Sequence, residues 1–158
     1  MSDTDLDRNA FLGLSAELTG FPAVRLTGTG MAHDYLDAVC AVVGRSVVAD
    51  LLDAYLALPA EPADERAAAM RASVLADERL GPVARNVIKL WYVGTWYQLP
   101  GSWRQVFGAR PRDVTFVVSP MAYTEGLLWP AVDANSPGAK APGYGTWALP
   151  PMLPDIEK

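Results

Sequence analysis

A chain of 158 residues is long enough for one domain with a real core and short for two. Hydrophobic residues make up 51% and charged residues 20%, which excludes a disordered body. The formal net charge is -5, with 13 Lys and Arg dispersed among 18 acids, so the basic face required by nucleic acid or anionic lipid is absent from the pattern.

The first residues, "MSDTDLDRNAFLGL", place acids where a secretory signal carries positive charge and contain no twin-arginine pair, so a cytoplasmic location is the expectation. Small acids at Asp3 to Asp5 are suited to cap a helix and oppose its dipole. Phe11, Leu14, Leu18 and Phe21 then follow on one helical face that ends at Gly20 to Pro22. A second helix is predicted from about Met31 to Val43, with Tyr35, Val39 and Val42 on its stripe and Gly44 as its stop. Ser46 reads as the cap of a third, antiparallel to the second, with Val48, Leu51, Leu52, Tyr55 and Leu58 ahead of Pro59. Pro62 to Leu80, rich in alanine and charge, reads as an exposed helix with an apolar edge at Ala67, Met70 and Val74.

"LGPVARNVIKLWYVGTWYQLP" shows two stripes when plotted at about 100° per residue. Val83, Val87, Leu90, Gly94 and Tyr97 form an ordinary core face. Ile88, Tyr92 and Trp96 form a second, in steps of four. A helix apolar on two sides is either central in its own fold or shared with something else. The uncharged run from Leu90 to Trp103 is interrupted by Gly94, Gln98, Pro100 and Gly101, so no direct membrane insertion is expected. Pro100 to Pro111 reads as a link. "DVTFVVS" is the only strand candidate, too little for a sheet by itself. "SPMAYTEGLLWPAV" reads as a short helix capped by Ser119, with proline at its first position, ending before Pro130.

From Ser136 to Pro154 there are five prolines and three glycines, which forbid a continuous helix or central strand. The same stretch carries Tyr144, Trp147, Leu149, Met152 and Leu153, and its only charge is Lys140. Such a ribbon buries its apolar groups only on a preformed surface, its own body or a partner's. The fold class expected is therefore mainly α: a small helical bundle with a long irregular C-terminal tail rich in Pro, Gly and aromatics. Residues 1–130 form the helical domain, and 131–158 an extended tail docking on a partner.

Little in the chain points to chemistry of its own. The single histidine, His33, sits at a helix start, and no His, Cys, Asp and Glu spacing matches a metal site. Cys40, the sole cysteine, rules out an internal disulfide and sits among small apolar residues. No G-x-S-x-G elbow occurs, and the short glycine motifs at 28–30 and 143–145 lack the third glycine and the strand and helix of a dinucleotide fingerprint. Glu125, surrounded by apolar residues, calls for a salt bridge or a capping role.

Three blocks, "FLGLSAELTGF", "RNVIKLWYVGTWY" and "SPMAYTEGLLWPAVDANSPGAKAPGYGTWALPP", resemble the small, accessory subunit of FAD-dependent sorbitol, fructose and related sugar dehydrogenases. The resemblance spans almost the whole chain, except that residues 45–81 match poorly. It implies a non-catalytic subunit with no cofactor of its own. FAD would lie in a large partner flavoprotein of the glucose-methanol-choline type, which oxidises the sugar, polyol or other alcohol, and a cytochrome often accepts the electrons. Family members assist maturation of the large subunit and usually carry the export signal for both. This sequence shows no such signal, so the expected pair is cytoplasmic, or periplasmic if a leader has been removed. It also reads "DANSPGAK" where the family pattern has a histidine and paired prolines, and that histidine's role does not carry over. A transient escort of the flavoprotein and an independent helical enzyme are the alternatives. The interface candidates are Trp91, Tyr92, Trp96 and Tyr97, then Tyr123 and Trp129, then Lys140, Tyr144 and Trp147, because large aromatics dominate interface energies.

Overall fold

A computed structural model describes residues 3–139, and these are mainly helical with very little strand. Helix α1 (Asp3–Thr19) buries Phe11 and Leu14 and leaves Leu18 and Phe21 half-buried; the capping expected of Asp3 and Asp5 falls outside the described side chains. A six-residue helix that the periodicity does not reveal, α2 (Ala23–Gly28), follows, with Pro22 at its N-terminal boundary and Leu26 buried. Helices α3 (Ala32–Val43) and α4 (Arg45–Leu56) pack against each other and bury the expected Tyr35, Val39, Val42, Val48, Leu51 and Leu52. Gly44 joins the two directly. Ser46 therefore lies inside the first turn of α4 instead of capping it.

The Pro62 to Leu80 segment is not one helix. α5 (Ala63–Met70) passes into a π-helical turn over Arg71–Leu75, after which the chain bends. Met70 and Val74 form the buried edge; Ala67, expected beside them, is exposed, because the edge turns with the wider π geometry. Asp77 Oδ1 accepts the backbone N–H groups of Arg79 (2.9 Å) and Leu80 (2.6 Å), fixing the start of α6 (Leu80–Val93).

α6 is the axis of the molecule and packs on α1, α3, α4, the π turn and the helical turn Pro120–Thr124. Its Val83, Ala84, Val87 and Leu90 are fully enclosed. Central burial accounts for its first apolar face; Ile88 and Tyr92, of the second, are half-buried. The expected second stripe does not reach Trp96, because the helix stops at Val93: Gly94 takes the left-handed conformation (φ 68°) and turns the chain away. Trp96 lies instead on strand β1 (Thr95–Trp96), and Tyr97 follows it. β1 pairs antiparallel with β2 (Phe116–Val117) in the register Thr95 with Val117 and Trp96 with Phe116, so the lone strand candidate has a partner in the glycine-broken end of the tryptophan segment. Between them, the stretch read as a link contains α7 (Gly101–Phe107), whose Trp103 is buried and donates its indole N–H to the Arg79 carbonyl (2.8 Å).

α8 (Pro120–Thr124) begins as expected, with Ser119 as cap, its hydroxyl accepting the Ala122 N–H (3.3 Å). It ends at Glu125, and a separate turn of helix, α9 (Leu128–Ala131), contains Pro130 instead of stopping before it. Proline fits there because the first turn of a helix leaves its N–H groups unused. Residues 132–139 then fold back: Ala134 N–H donates to the Trp129 carbonyl (2.8 Å), Tyr123 Oη donates to the Pro137 carbonyl (3.4 Å), and Ser136 is buried. The first residues of the expected tail therefore rest on the protein's own body. Among the described residues no helix is long and apolar enough to cross a membrane.

Candidate partner interface

The three described blocks that carry the sequence resemblance come together around α6. Phe11 of α1 stacks on Trp91 (6.5 Å between ring centroids), Tyr35 meets the same indole edge-on (4.9 Å), and Leu127 N–H donates to the Trp91 carbonyl (2.9 Å). Tyr92 Oη donates to the Thr19 carbonyl (2.9 Å) while its ring meets Phe21 edge-on (6.1 Å). One unit results from α1, the α6 to β1 segment and the α8 to α9 segment.

The turn after α6 is held by two polar side chains that carry no motif. Asn86, buried on α6, donates from Nδ2 to the Tyr97 carbonyl (2.9 Å), and its Oδ1 accepts the Tyr97 N–H (3.1 Å). Asp113, buried ahead of β2, accepts at Oδ1 from the Trp96 indole (3.1 Å) and the Leu99 N–H (3.0 Å). Its Oδ2 lies 3.3 Å from Arg104 Nε, close enough for an ion pair. Each replaces a backbone partner that this irregular stretch lacks: both polar atoms of the Asn86 amide are hydrogen-bonded, whereas of the Asp113 carboxylate Oδ1 is hydrogen-bonded and Oδ2 is compensated by the ion pair alone.

The interface candidates separate on this frame. Trp91 and Trp96 are interior: the first is walled in by α1 and α3, the second by the β1 to β2 ladder and Asp113, so neither is available to a partner. Tyr92 is half-buried and engaged with the end of α1; Trp129 is half-buried, its indole donating to the Tyr123 carbonyl (2.8 Å) and its ring edge-on to Tyr123 (5.3 Å). Tyr97 and Tyr123 are open to solvent at 41% and 44%, Tyr97 under the Lys89 ammonium (4.9 Å to the ring). Lys140, Tyr144 and Trp147 lie outside the described residues. What the aromatic pattern does not single out is a set of aliphatic side chains: Val93, Val117, Met121, Leu128 and Val132 are all exposed, on the elements gathered around the C-terminal end of α6. With Tyr97 and Tyr123 they are exposed apolar groups of neighbouring segments, here termed the apolar shelf. Exposed apolar groups that share one end of a molecule mark a surface for covering.

The titratable candidates have ordinary structural surroundings. His33 is exposed, with Nε2 3.3 Å from Asp37 Oδ2. The Cys40 thiol is half-buried; burial raises its pKa, Arg45 opposes that, and Asp37 and Asp7 add to it, which disfavours the nucleophilic thiolate. Glu125 sits half-buried at the end of α8, where its charge adds to the larger effects of burial and Asp34 in raising the Tyr35 pKa. Among the described residues no three His, Cys, Asp or Glu side chains are placed to hold a metal ion. Comparison with models of protein families, with curated proteins and with solved structures returns no match to this chain.

Proposed function

We infer that this chain is a non-catalytic small subunit that binds and stabilises a large FAD-dependent oxidoreductase of the glucose-methanol-choline type, acting on a sugar, polyol or other alcohol, and assists its maturation. The observation that carries the reading is spatial. The described parts of the blocks that resemble the accessory subunits pack around α6, and they carry the exposed apolar side chains Val93, Met121 and Leu128, with Val117 on the adjoining strand. The poorly resembling residues 45–81 contribute α4, α5 and the π turn instead. Covering that shelf would offset the cost of its exposure and bring the large subunit's own apolar surface out of water. FAD belongs to the partner in this reading, as does passage of electrons to a cytochrome.

Co-expression tests it. The flavoprotein produced alone should be insoluble or poor in flavin, and co-production of this chain should give a soluble, yellow, stable heterodimer on size exclusion. A large subunit that is soluble and flavin-loaded without this chain would refute the reading. Restored activity with no lasting complex would make the chain a departing escort.

A further inference from the structure

A cavity of about 90 Å³ lies where α2, the turn between α8 and α9, and residues 134–136 of the returning chain meet. Arg25, Thr124, Glu125, Asn135 and Ser136 line it, with Trp129 as the aromatic part of its wall. Ser136 is 1% exposed, and its Oγ has no hydrogen-bond partner among the described residues. No ion pair or hydrogen bond among them engages the Arg25 guanidinium either. A buried hydroxyl left unpaired is destabilising and rare. In the lining of a cavity it points to a bound molecule that supplies the partner.

We propose that this cavity binds a short polyol of three or four carbons, with Ser136 Oγ sharing a hydrogen bond with one of its hydroxyls and the Arg25 guanidinium donating to another. The lining selects the class of ligand. Arg25 and Glu125 carry opposite charges on the same small space, so net charge favours neither an anion nor a cation. The hydroxyls of Thr124 and Ser136 and the Asn135 amide each offer both a donor and an acceptor. The hydroxyls of a polyol have the same dual character, and its carbon chain suits the Trp129 wall. Size selects the length: the cavity is far below the roughly 300 Å³ at which pockets begin to take drug-sized ligands. Bound there, the polyol ties α2 to residues 134–136. The inference concerns the chain alone and does not depend on the flavoprotein.

The test titrates erythritol, up to tens of millimolar, into the isotope-labelled full chain and reads amide shifts by NMR, with butanol, glycine and inorganic phosphate in parallel. Saturable shifts centred on Arg25, Gly126, Asn135 and Ser136 are expected with erythritol and not with butanol, which has the carbons without the hydroxyl pattern. Ser136→Ala should weaken apparent affinity by roughly tenfold. It should leave the melting temperature unchanged or slightly raised, because the hydroxyl has no partner in the free chain to lose. Arg25→Gln, at an exposed position, should weaken binding several-fold and serves as the second variant. Absence of saturable shifts with erythritol would leave the cavity to ordered water and overturn the proposal. So would equal shifts with butanol, a response to glycine or phosphate in place of erythritol, or erythritol binding that both variants leave unchanged.

Discussion

The Asp113 carboxylate, 2% exposed, accepts the indole N–H of Trp96 and the backbone N–H of Leu99 while lying beside Arg104. Removing it leaves two buried donors without their acceptor and the Arg104 guanidinium without its ion-pair partner. Each lost buried hydrogen bond of this kind costs about 1–3 kcal/mol, so Asp113→Ala should lower unfolding free energy by roughly 3 kcal/mol or more. Asp113→Asn, which keeps one acceptor oxygen, should cost less. Urea titrations of the two variants decide; equal and negligible losses would mean that the carboxylate is ornamental. Tyr35 gives a prediction of opposite character. Its hydroxyl is buried without a hydrogen-bond partner among the described residues, and burial, then Asp34 and Glu125, push its pKa above the ordinary value of 10.0. The folded state holds this proton longer than the unfolded chain does. Its stabilising effect is therefore complete below about pH 10 and declines as pH rises above it, by up to about 1.4 kcal/mol per pH unit until the folded group itself titrates. Tyr35→Phe should leave stability at neutral pH unchanged or slightly raised, and should flatten the alkaline loss measured by denaturation between pH 9 and about 11.

At the scale of elements, the join between α6 and β1 sets the position of everything after it. Gly94 has φ 68°, and a Cβ built on it would stand 2.6 Å from the Ala122 Cβ of α8. Gly94→Ala therefore combines a left-handed backbone cost of about 1–2 kcal/mol with overpacking of about 1–3 kcal/mol. The melting temperature should fall steeply, and α8 should lose amide protection before α1 does. This glycine also explains what was and was not legible in the sequence. Apolar periodicity located α1, α3, α4 and the body of α6 because each is long enough for several turns to repeat the pattern. The same periodicity carried the second stripe past Gly94 to Trp96, since four residues from Tyr92 is a helical spacing whether or not a helix is present. α2 and α7 are too short to show a period, and the π turn breaks it. The roles of Asn86 and Asp113 were invisible for another reason: their partners lie 11 and 14 to 17 residues away, a separation that no local pattern encodes. Ser119, a local cap, could be read directly.

For the whole molecule, the decisive question is whether the apolar shelf is a surface for another polypeptide or merely the residue of a small body that cannot cover all its hydrophobic groups. Exposed apolar side chains on other elements occur at Leu56 on α4 and Val106 on α7, 64% and 72% exposed, and these serve as internal controls. Substitution at such solvent-facing sites changes stability by about 0.5 kcal/mol or less. The triple variant Val117→Glu, Met121→Glu, Leu128→Glu should accordingly keep the free chain's circular dichroism and nearly all of its melting temperature, as should Leu56→Glu, Val106→Glu. If the shelf is a docking surface, the two sets diverge in one measurement: co-purification with the flavoprotein collapses for the triple variant and persists for the control pair. Three new carboxylates on a desolvated apolar contact are each costly to bury, so the loss should reach at least 100-fold in affinity, about 2.7 kcal/mol. Equal retention by both sets would assign the shelf to ordinary surface and leave the contact to elements other than β2, α8 and α9.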